Sequence, residues 1–364
     1  MSLQVIKPGL LTTLQDLGRY GFQRYGVMAG GAMDSFALRT ANLLVGNVQG
    51  EAALEITLQG PTLRAETDLL AAVCGGHLAP TLDGEPVPEW QSFPMKAGSV
   101  LQFGYAKFGC RAYLAVAGGF HVPDVLASKS TFVRGKMGGF EGRALQAGDR
   151  LPCGHVRMDR DEQAEADSAL ATANGVATQA HANGTDIREK TVSPTIAKPN
   201  DFTSRHFAAL PRNRFISWEL FPDYSNEPVI RVTRGQQYDA FDAESRERLW
   251  AETFQVTPQS DRMGYRIEGP PLQLVAPLEM ISEAVTFGTV QVPPGGNPIV
   301  LLADRQTTGG YPKIAQVAAV DLPVLAQLKP GDRLRFTEIT VEEAQRLYLE
   351  RERGLQMLQR ALTL

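Results

Sequence analysis

The sequence predicts a mainly β chain of two related domains in tandem, with few helices and one at the C-terminus. Three observations predict it. Short apolar runs of period two are bounded by Gly or Pro, as in Leu54, Ile56 and Leu58 before Gly60 and Pro61, Leu101, Phe103 and Tyr105 after Gly98, and Ile230 and Val232 before Gly235. The 364 residues include 35 Gly and 23 Pro, about one residue in six, which calls for many turns between short elements. Motifs also recur in one order along the two halves: "TLQDLGRYGFQRYG" with "QSDRMGYRIEG", "GPTL" with "GPPL", and "AGDRL" with "PGDRL".

The first domain is expected over 1–154. Within it a helix starts at Asp34, a good N-cap, carries Ala37, Ala41 and Leu44 on one face, and stops before Gly46. Over 155–214 the composition turns to Ala, Thr, Asn, Asp, Gln and Glu with few large apolar groups, too little to offset ordering entropy, so a linker or insertion is expected there. A second β domain is expected over 215–338. The tail 339–364 reads as an amphipathic helix: Thr340 and Glu343 form a capping box, and Ala344, Leu347, Tyr348, Leu355, Leu358 and Leu362 line one stripe that should lie against a barrel or a partner.

Lys plus Arg number 36 and Asp plus Glu 40, a formal charge of -4 without a long run of either sign, so nucleic acid and anionic lipid are not the expected partners. Cys74, Cys110 and Cys153 are odd in number and far apart, and five His are scattered, which suggests neither a disulfide framework nor a zinc site. The N-terminus lacks the pattern of a signal peptide, and no stretch approaches the ~20 apolar residues of a membrane span. A cytoplasmic location is expected.

Four polar, glycine-containing stretches could carry chemistry. "TTLQDLGRYGFQRYGVMAGGAMD" sets Asp16, Arg19, Arg24 and the pair Gly30 and Gly31 before the helix at Asp34, whose carboxylate as a cap would already take the N-terminal N–H groups. "STFVRGKMGGFEGRALQAGDRLP" places Arg134, Lys136 and Arg143 among closely spaced glycines, which suit either a ligand near the backbone or an ordinary loop. "SDRMGYRIEGP" puts Asp261 beside Arg262, a catalytic pair or a salt-bridged turn. In "PIVLLADRQTTGGYPKIA" an apolar strand delivers Asp304, Arg305, Gln306, Thr307 and Thr308 at its end; Gly309 and Gly310 allow a ligand near the backbone, and Tyr311 and Lys313 follow. A P-loop, a G-x-S-x-G elbow and an H-E-x-x-H motif are all lacking, so a nucleotide would bind in some other way.

At "TTLQDLGRYGF", "GAMDSFALRTANLLVGN", "ALEIT", "AYLAVAGGF", "SDRMGYR", "VQVPPGGNPIVLLADRQTTGGYPKIA" and "LAQLKPGD" the chain resembles the biotin-dependent carboxyltransferase family, also known as allophanate hydrolase subunit 2 or KipI antagonist, and within it the C subunits of bacterial 5-oxoprolinases. The resemblance implies two tandem cyclophilin-like β-barrel domains. It also implies ATP-dependent opening of 5-oxo-L-proline to L-glutamate together with subunits A and B, with ATP and Mg2+ as cofactors, on this chain or on a partner. Carboxyl transfer from a biotinylated partner to a urea-like substrate, or non-catalytic binding of a KipI-like protein, are the alternatives.

A lactam amide is a poor electrophile, and phosphorylation of its carbonyl oxygen would let water attack it, a step that needs cations and a positioned substrate. On residue chemistry Arg305, Lys313 and Arg262 are the cations for phosphate or carboxylate, and Asp304 and Asp261 the groups for magnesium or proton transfer. Gln306, Thr307, Thr308 and Tyr311, with the backbone at Gly309 and Gly310 and the pair Asp16 and Arg19, are the expected substrate contacts.

Overall fold

A computed structural model describes residues 1–154, 214–216 and 221–363, which all fall in one compact unit. The insertion expected over 155–214 therefore lies, apart from Arg214, outside the described residues. Among these the chain is mainly β, with α1 (Ser35–Leu44), α2 (Ala243–Ala251), α3 (Leu322–Ala326) and α4 (Val341–Thr363).

The first half distributes its strands over two sheets around one core. In the five-stranded sheet Phe108–Val116 lies between Ala53–Thr57 and Leu69–His77, and Leu11–Gln15 pairs with Ala53–Thr57 in the register Leu14 to Leu54. The other sheet has six strands, with Ser2–Lys7 between Thr62–Ala65 and Arg150–Pro152. Leu3, Leu14, Leu54, Ile56, Leu63, Val73, Leu101 and Leu114 are completely buried in the core of this half. Strands covered on both faces read as continuous apolar runs, which is why "LLAAVCGG" shows no alternation.

The second half is a closed barrel of seven strands. Its order is Val229–Arg234, Lys313–Val317, Thr289–Gln291, Ile299–Leu301, Gly264–Glu268, Phe254–Val256 and Arg333–Glu338, and it closes by a parallel pairing of Val229 with Arg335. Met33, from the first half, is buried within the barrel's apolar cluster and so ties the halves together.

Two of the three motif echoes correspond to shared turns. Asp149 accepts from the Gln146 amide at 2.7 Å and Asp332 from the Lys329 amide at 3.0 Å, and each turn passes through a left-handed glycine, Gly148 or Gly331, into the strand that begins Arg-Leu. Asp16 accepts from the Gly18 amide at 2.7 Å as Asp261 does from the Met263 amide at 2.8 Å.

Helix α1 is capped as the sequence predicts: the Asp34 carboxylate accepts from the Ala37 amide at 2.9 Å, and Gly46 follows the helix with φ +81°. Helix α4 begins with the Thr340 hydroxyl accepting from the Glu343 amide at 3.1 Å. It lies on its own chain, burying Leu355 and Leu358 while Arg39 of α1 donates both Nη groups to Glu352 at 2.6 Å, whereas Tyr348 in the expected stripe is exposed. No described helix is long and apolar enough to cross a membrane.

Candidate functional site

The strand Ile299–Leu301 runs on through buried Leu302 and Ala303 and delivers Asp304 into the seam between the two halves. There Arg262 donates to both oxygens of Asp304, Nε to Oδ2 at 2.9 Å and Nη2 to Oδ1 at 3.0 Å. Its other nitrogen, Nη1, donates to Glu55 of the first half, and Nη2 also reaches the Gly31 carbonyl at 2.7 Å. One guanidinium thus sits between two buried carboxylates.

Glu55 is not among the residues that the sequence marks out. Its Oε2 accepts from the Met33 amide at 2.9 Å and from the Tyr113 hydroxyl at 2.7 Å. Burial pushes its pKa up, but Arg262, Arg111 and these two hydrogen bonds more than offset it, and the carboxyl lies below its ordinary range. Burial likewise works to lower the pKa of Arg262, and Asp304 and Glu55 reverse it. The signal that could have found Glu55 is a lone acid in the apolar strand "ALEIT", which would have no reason to be buried without a cation.

The seam continues through Tyr113, whose hydroxyl accepts from the Asp34 amide at 2.8 Å. Asp34 is completely buried and accepts from the Tyr224 hydroxyl at 2.6 Å and from Gln327 Nε2 at 2.9 Å; burial pushes its pKa up against these bonds. Gln327 uses its Oε1 for the amides of Cys110 and Arg111 at 3.0 and 2.9 Å. Asp34 is therefore both a helix cap and a joint between the halves.

The remaining expected residues fall into separate places. Arg305 donates only to backbone carbonyls, Leu302 at 3.2 Å and Val285 at 3.4 Å, and has no carboxylate partner among the described residues. Burial lowers its pKa against the opposing effect of Tyr20. Lys313 is buried and donates to Glu283 at 2.6 Å. Thr308 and Gly309 pair with Glu283 and Ala284 in a two-stranded ladder, Gln306 and Thr307 are half-buried, and Gly310 and Tyr311 are exposed.

Asp261 and Arg262, adjacent in sequence, point in different directions: Asp261 is exposed and accepts from Arg134 at 2.8 Å. The two carboxylates expected to serve magnesium or proton transfer are thus held apart, each by its own guanidinium, Asp261 by Arg134 and Asp304 by Arg262. Among the described residues no group of three His, Cys, Asp or Glu could hold a metal ion.

Asp16 and Arg19 shape the loop beside the site. Asp16 accepts from the Ser128 hydroxyl at 2.8 Å and the Lys129 amide at 2.6 Å, holding 16–19 against 128–130. Arg19 is completely buried; Nη2 donates to the Ser130 carbonyl, and Nη1 has no partner among the described residues. A side chain at Gly30 would begin 3.4 Å from that Nη1 and 3.7 Å from Asp304 Oδ1, so Arg19 and Asp304 approach the same bare backbone. Arg143, from the second glycine-containing stretch, is spent on Glu141 and on Asp149, at 2.6 and 2.7 Å.

The carboxyltransferase domain model, subdomain A and B, matches residues 25–338. The C subunit of 5-oxoprolinase from Haemophilus influenzae is 37% identical over 348 residues, 96% of this chain and 94% of that one. Its counterpart from Escherichia coli K12, of the same name, is 37% identical over 356 residues, 98% and 97% of the two chains. The crystal structure of the K. lactis urea amidolyase matches with a TM-score of 0.78 at 29% identity, covering 98% of this chain; this chain spans 20% of that protein.

Proposed function

From the premise that the chain belongs to the carboxyltransferase domain family, subdomain A and B, we propose that it is the C subunit of an ATP-dependent 5-oxoprolinase, working in the cytoplasm with partner subunits A and B to convert 5-oxo-L-proline to L-glutamate. The observation that carries the proposal is the 37% identity to two bacterial proteins of that name across nearly the full length of all three chains. In the same proposal 1–154 and 215–338 are two cyclophilin-like domains, 155–214 is an insertion between them and 339–364 an appended helix.

The residue roles follow from what each side chain is free to do. Arg305 is the anion-binding cation, since its contacts are neutral carbonyls and its charge is uncompensated among the described residues. Arg262 holds Asp304 in place and is itself neutralised, so it is a positioning residue. Asp304 faces the reacting group as the proton acceptor, with its orientation set by two guanidinium bonds. Lys313 is the second cation, held by Glu283 until substrate competes for it. Gln306, Thr307, Thr308 and Tyr311, with the open backbone of Gly309 and Gly310, form the rim.

ATP with Mg2+ would activate the lactam carbonyl, and in this proposal both are bound by a partner subunit. The test is glutamate formation from 5-oxo-L-proline and ATP by the three-subunit mixture, with this chain included and omitted. Turnover unaffected by omission defeats the proposal.

A second reading, carboxyl transfer from a biotinylated partner to a urea-like acceptor, is favoured by the structural match to the urea amidolyase. Biotin detected on a co-purifying protein, together with urea-dependent turnover, would select it.

A further inference from the structure

Beneath the short ladder of Glu283–Ala284 and Thr308–Gly309 lies a polar side chain that no described partner explains. Gln291 is 3% exposed, and its Oε1 has no hydrogen-bond partner among the described residues. Buried amide oxygens are nearly always satisfied, and one left unpaired is a cost that a binding site can recover when its ligand arrives. Gln291 stands opposite Lys313 across the sheet, and Glu283 opposite Gly309, so the strand pairings gather the amide, the ammonium and the carboxylate around one glycine.

That glycine is Gly309. A side chain there would begin 3.0 Å from Gln291 Oε1, 3.0 Å from Val285 Cγ1 and 3.7 Å from Gln306 Nε2, so only a bare Cα packs this closely over the Gln291 amide, and Gly309, itself buried, covers it until the ladder is displaced. The flanking residues Thr308 and Gly310 are exposed and give an approach from solvent. The ladder above is only two residue pairs long, which makes its displacement easy compared with that of the barrel strands.

We propose that Gln291 is a specificity-determining residue that reads the H–N–C=O edge of a small amide, with Lys313 beside it to take a carboxylate on the same molecule. A primary carboxamide carries an acceptor and a donor side by side. A ring lactam, locked cis, presents N–H and C=O on one edge and pairs with it through two antiparallel hydrogen bonds; an acyclic peptide amide, being trans, does not. The same edge occurs in urea and in the ureido ring of biotin. Applied to 5-oxoproline the inference rests on the proposed function, yet the amide recognition itself can be judged apart from it.

The experiment is calorimetric titration of the full chain with 5-oxo-L-proline, its N-methyl analogue, urea and biotin, for the wild type, Gln291→Leu and Gln291→Glu, with circular dichroism to check folding. The expected result is that the wild type binds at least one of the three N–H ligands, and that both variants lose about tenfold or more in affinity for it. When the bound ligand is 5-oxo-L-proline, the wild type should also discriminate against the N-methyl analogue and Gln291→Leu should not, a change that a purely structural role would not produce. Binding of urea or biotin in place of 5-oxo-L-proline would count against the proposed function while supporting the role of Gln291. Unchanged affinity in a folded variant, or no binding of any of the three ligands to the wild type, overturns the inference.

Discussion

Arg262 and Asp304 form a two-point ion pair, both Asp304 oxygens accepting from one guanidinium at 2.9 and 3.0 Å, in the seam where the two halves of the chain meet. The pair is buried, and a third member, Glu55, comes from the first half. Such a triad is worth more as geometry than as stability: it fixes the direction of Asp304 at the lip of the barrel.

Removing one member strands the others. Asp304→Ala leaves Arg262 with Glu55 alone, and Glu55→Ala leaves it with Asp304 alone. Losing hydrogen bonds to a charged group while one counter-charge remains costs roughly 1.5 to 3 kcal/mol, so each variant is expected to unfold at clearly lower urea concentration. The double variant Glu55→Ala, Asp304→Ala should be worse than the sum of the singles, because it leaves Arg262 buried with no counter-charge. Equilibrium urea unfolding of the four proteins measures this.

Arg305 should behave in the opposite way. Its hydrogen bonds go to two backbone carbonyls at 3.2 and 3.4 Å, both long, so Arg305→Gln is expected to change stability by less than about 1 kcal/mol. In the three-subunit assay the same change should lower kcat/KM by about 100-fold, the scale of one lost charge-assisted contact at about 2.7 kcal/mol. A folded Arg305→Gln with near-normal kcat/KM removes it from the site.

Acid stability carries the mark of Glu55. Its carboxyl lies below the ordinary value in the folded chain, so it contributes stability that is fully present above the unfolded value near 4.5 and is lost as pH falls through the folded value. Asp34 works against this: its folded pKa is raised by burial, so its contribution declines as pH rises from the unfolded value near 3.8 through the folded one. Glu55→Gln is therefore expected to flatten the acid limb of the stability curve, and Asp34→Asn to leave that steep limb in place. Urea midpoints measured from about pH 3 to about pH 7, on the order of one point per half unit, provide the check.

The glycines of "GKMGGFEGR" are required by packing. Gly139 has φ +56°, and a side chain there would begin 1.8 Å from Thr131 Oγ1; at Gly138, φ +67°, it would begin 2.2 Å from the Ser130 carbonyl. Left-handed backbone costs an L side chain roughly 1 to 2 kcal/mol before any clash. Gly139→Ala and Gly138→Ala should each lower the melting temperature by several degrees, while Gly148→Ala, at φ +93° but with no neighbour within 4 Å, should lower it less.

The three thiols should be silent in the native protein. Cys74, Cys110 and Cys153 are all buried, and burial pushes Cys153 up to about 12. At about pH 8 an aromatic disulfide reagent is expected to titrate none of them until denaturant is added, and then all three.

Local features of the protein are legible in its amino acids alone. The Asp34 cap with Gly46, the Thr340 and Glu343 box, the matching turns at Asp149 and Asp332 and the strand that ends at Asp304 all depend on residues a few positions apart, and the hydrogen-bonding habits of Asp, Thr and Gly are enough to place them. Which charges meet is settled by the folded chain and by nothing short of it. Glu55 lies 207 residues before Arg262, and its segment marks a lone acid in an apolar strand but not the cation it meets, while Asp261 and Arg262 read as a pair although one faces solvent and the other the seam. An ion pair is set by where two backbones pass each other, and nothing in either segment alone records that crossing. Gln291 shows the same limit: its amide has meaning only beside Gly309, Lys313 and Glu283, which separate strands bring to it.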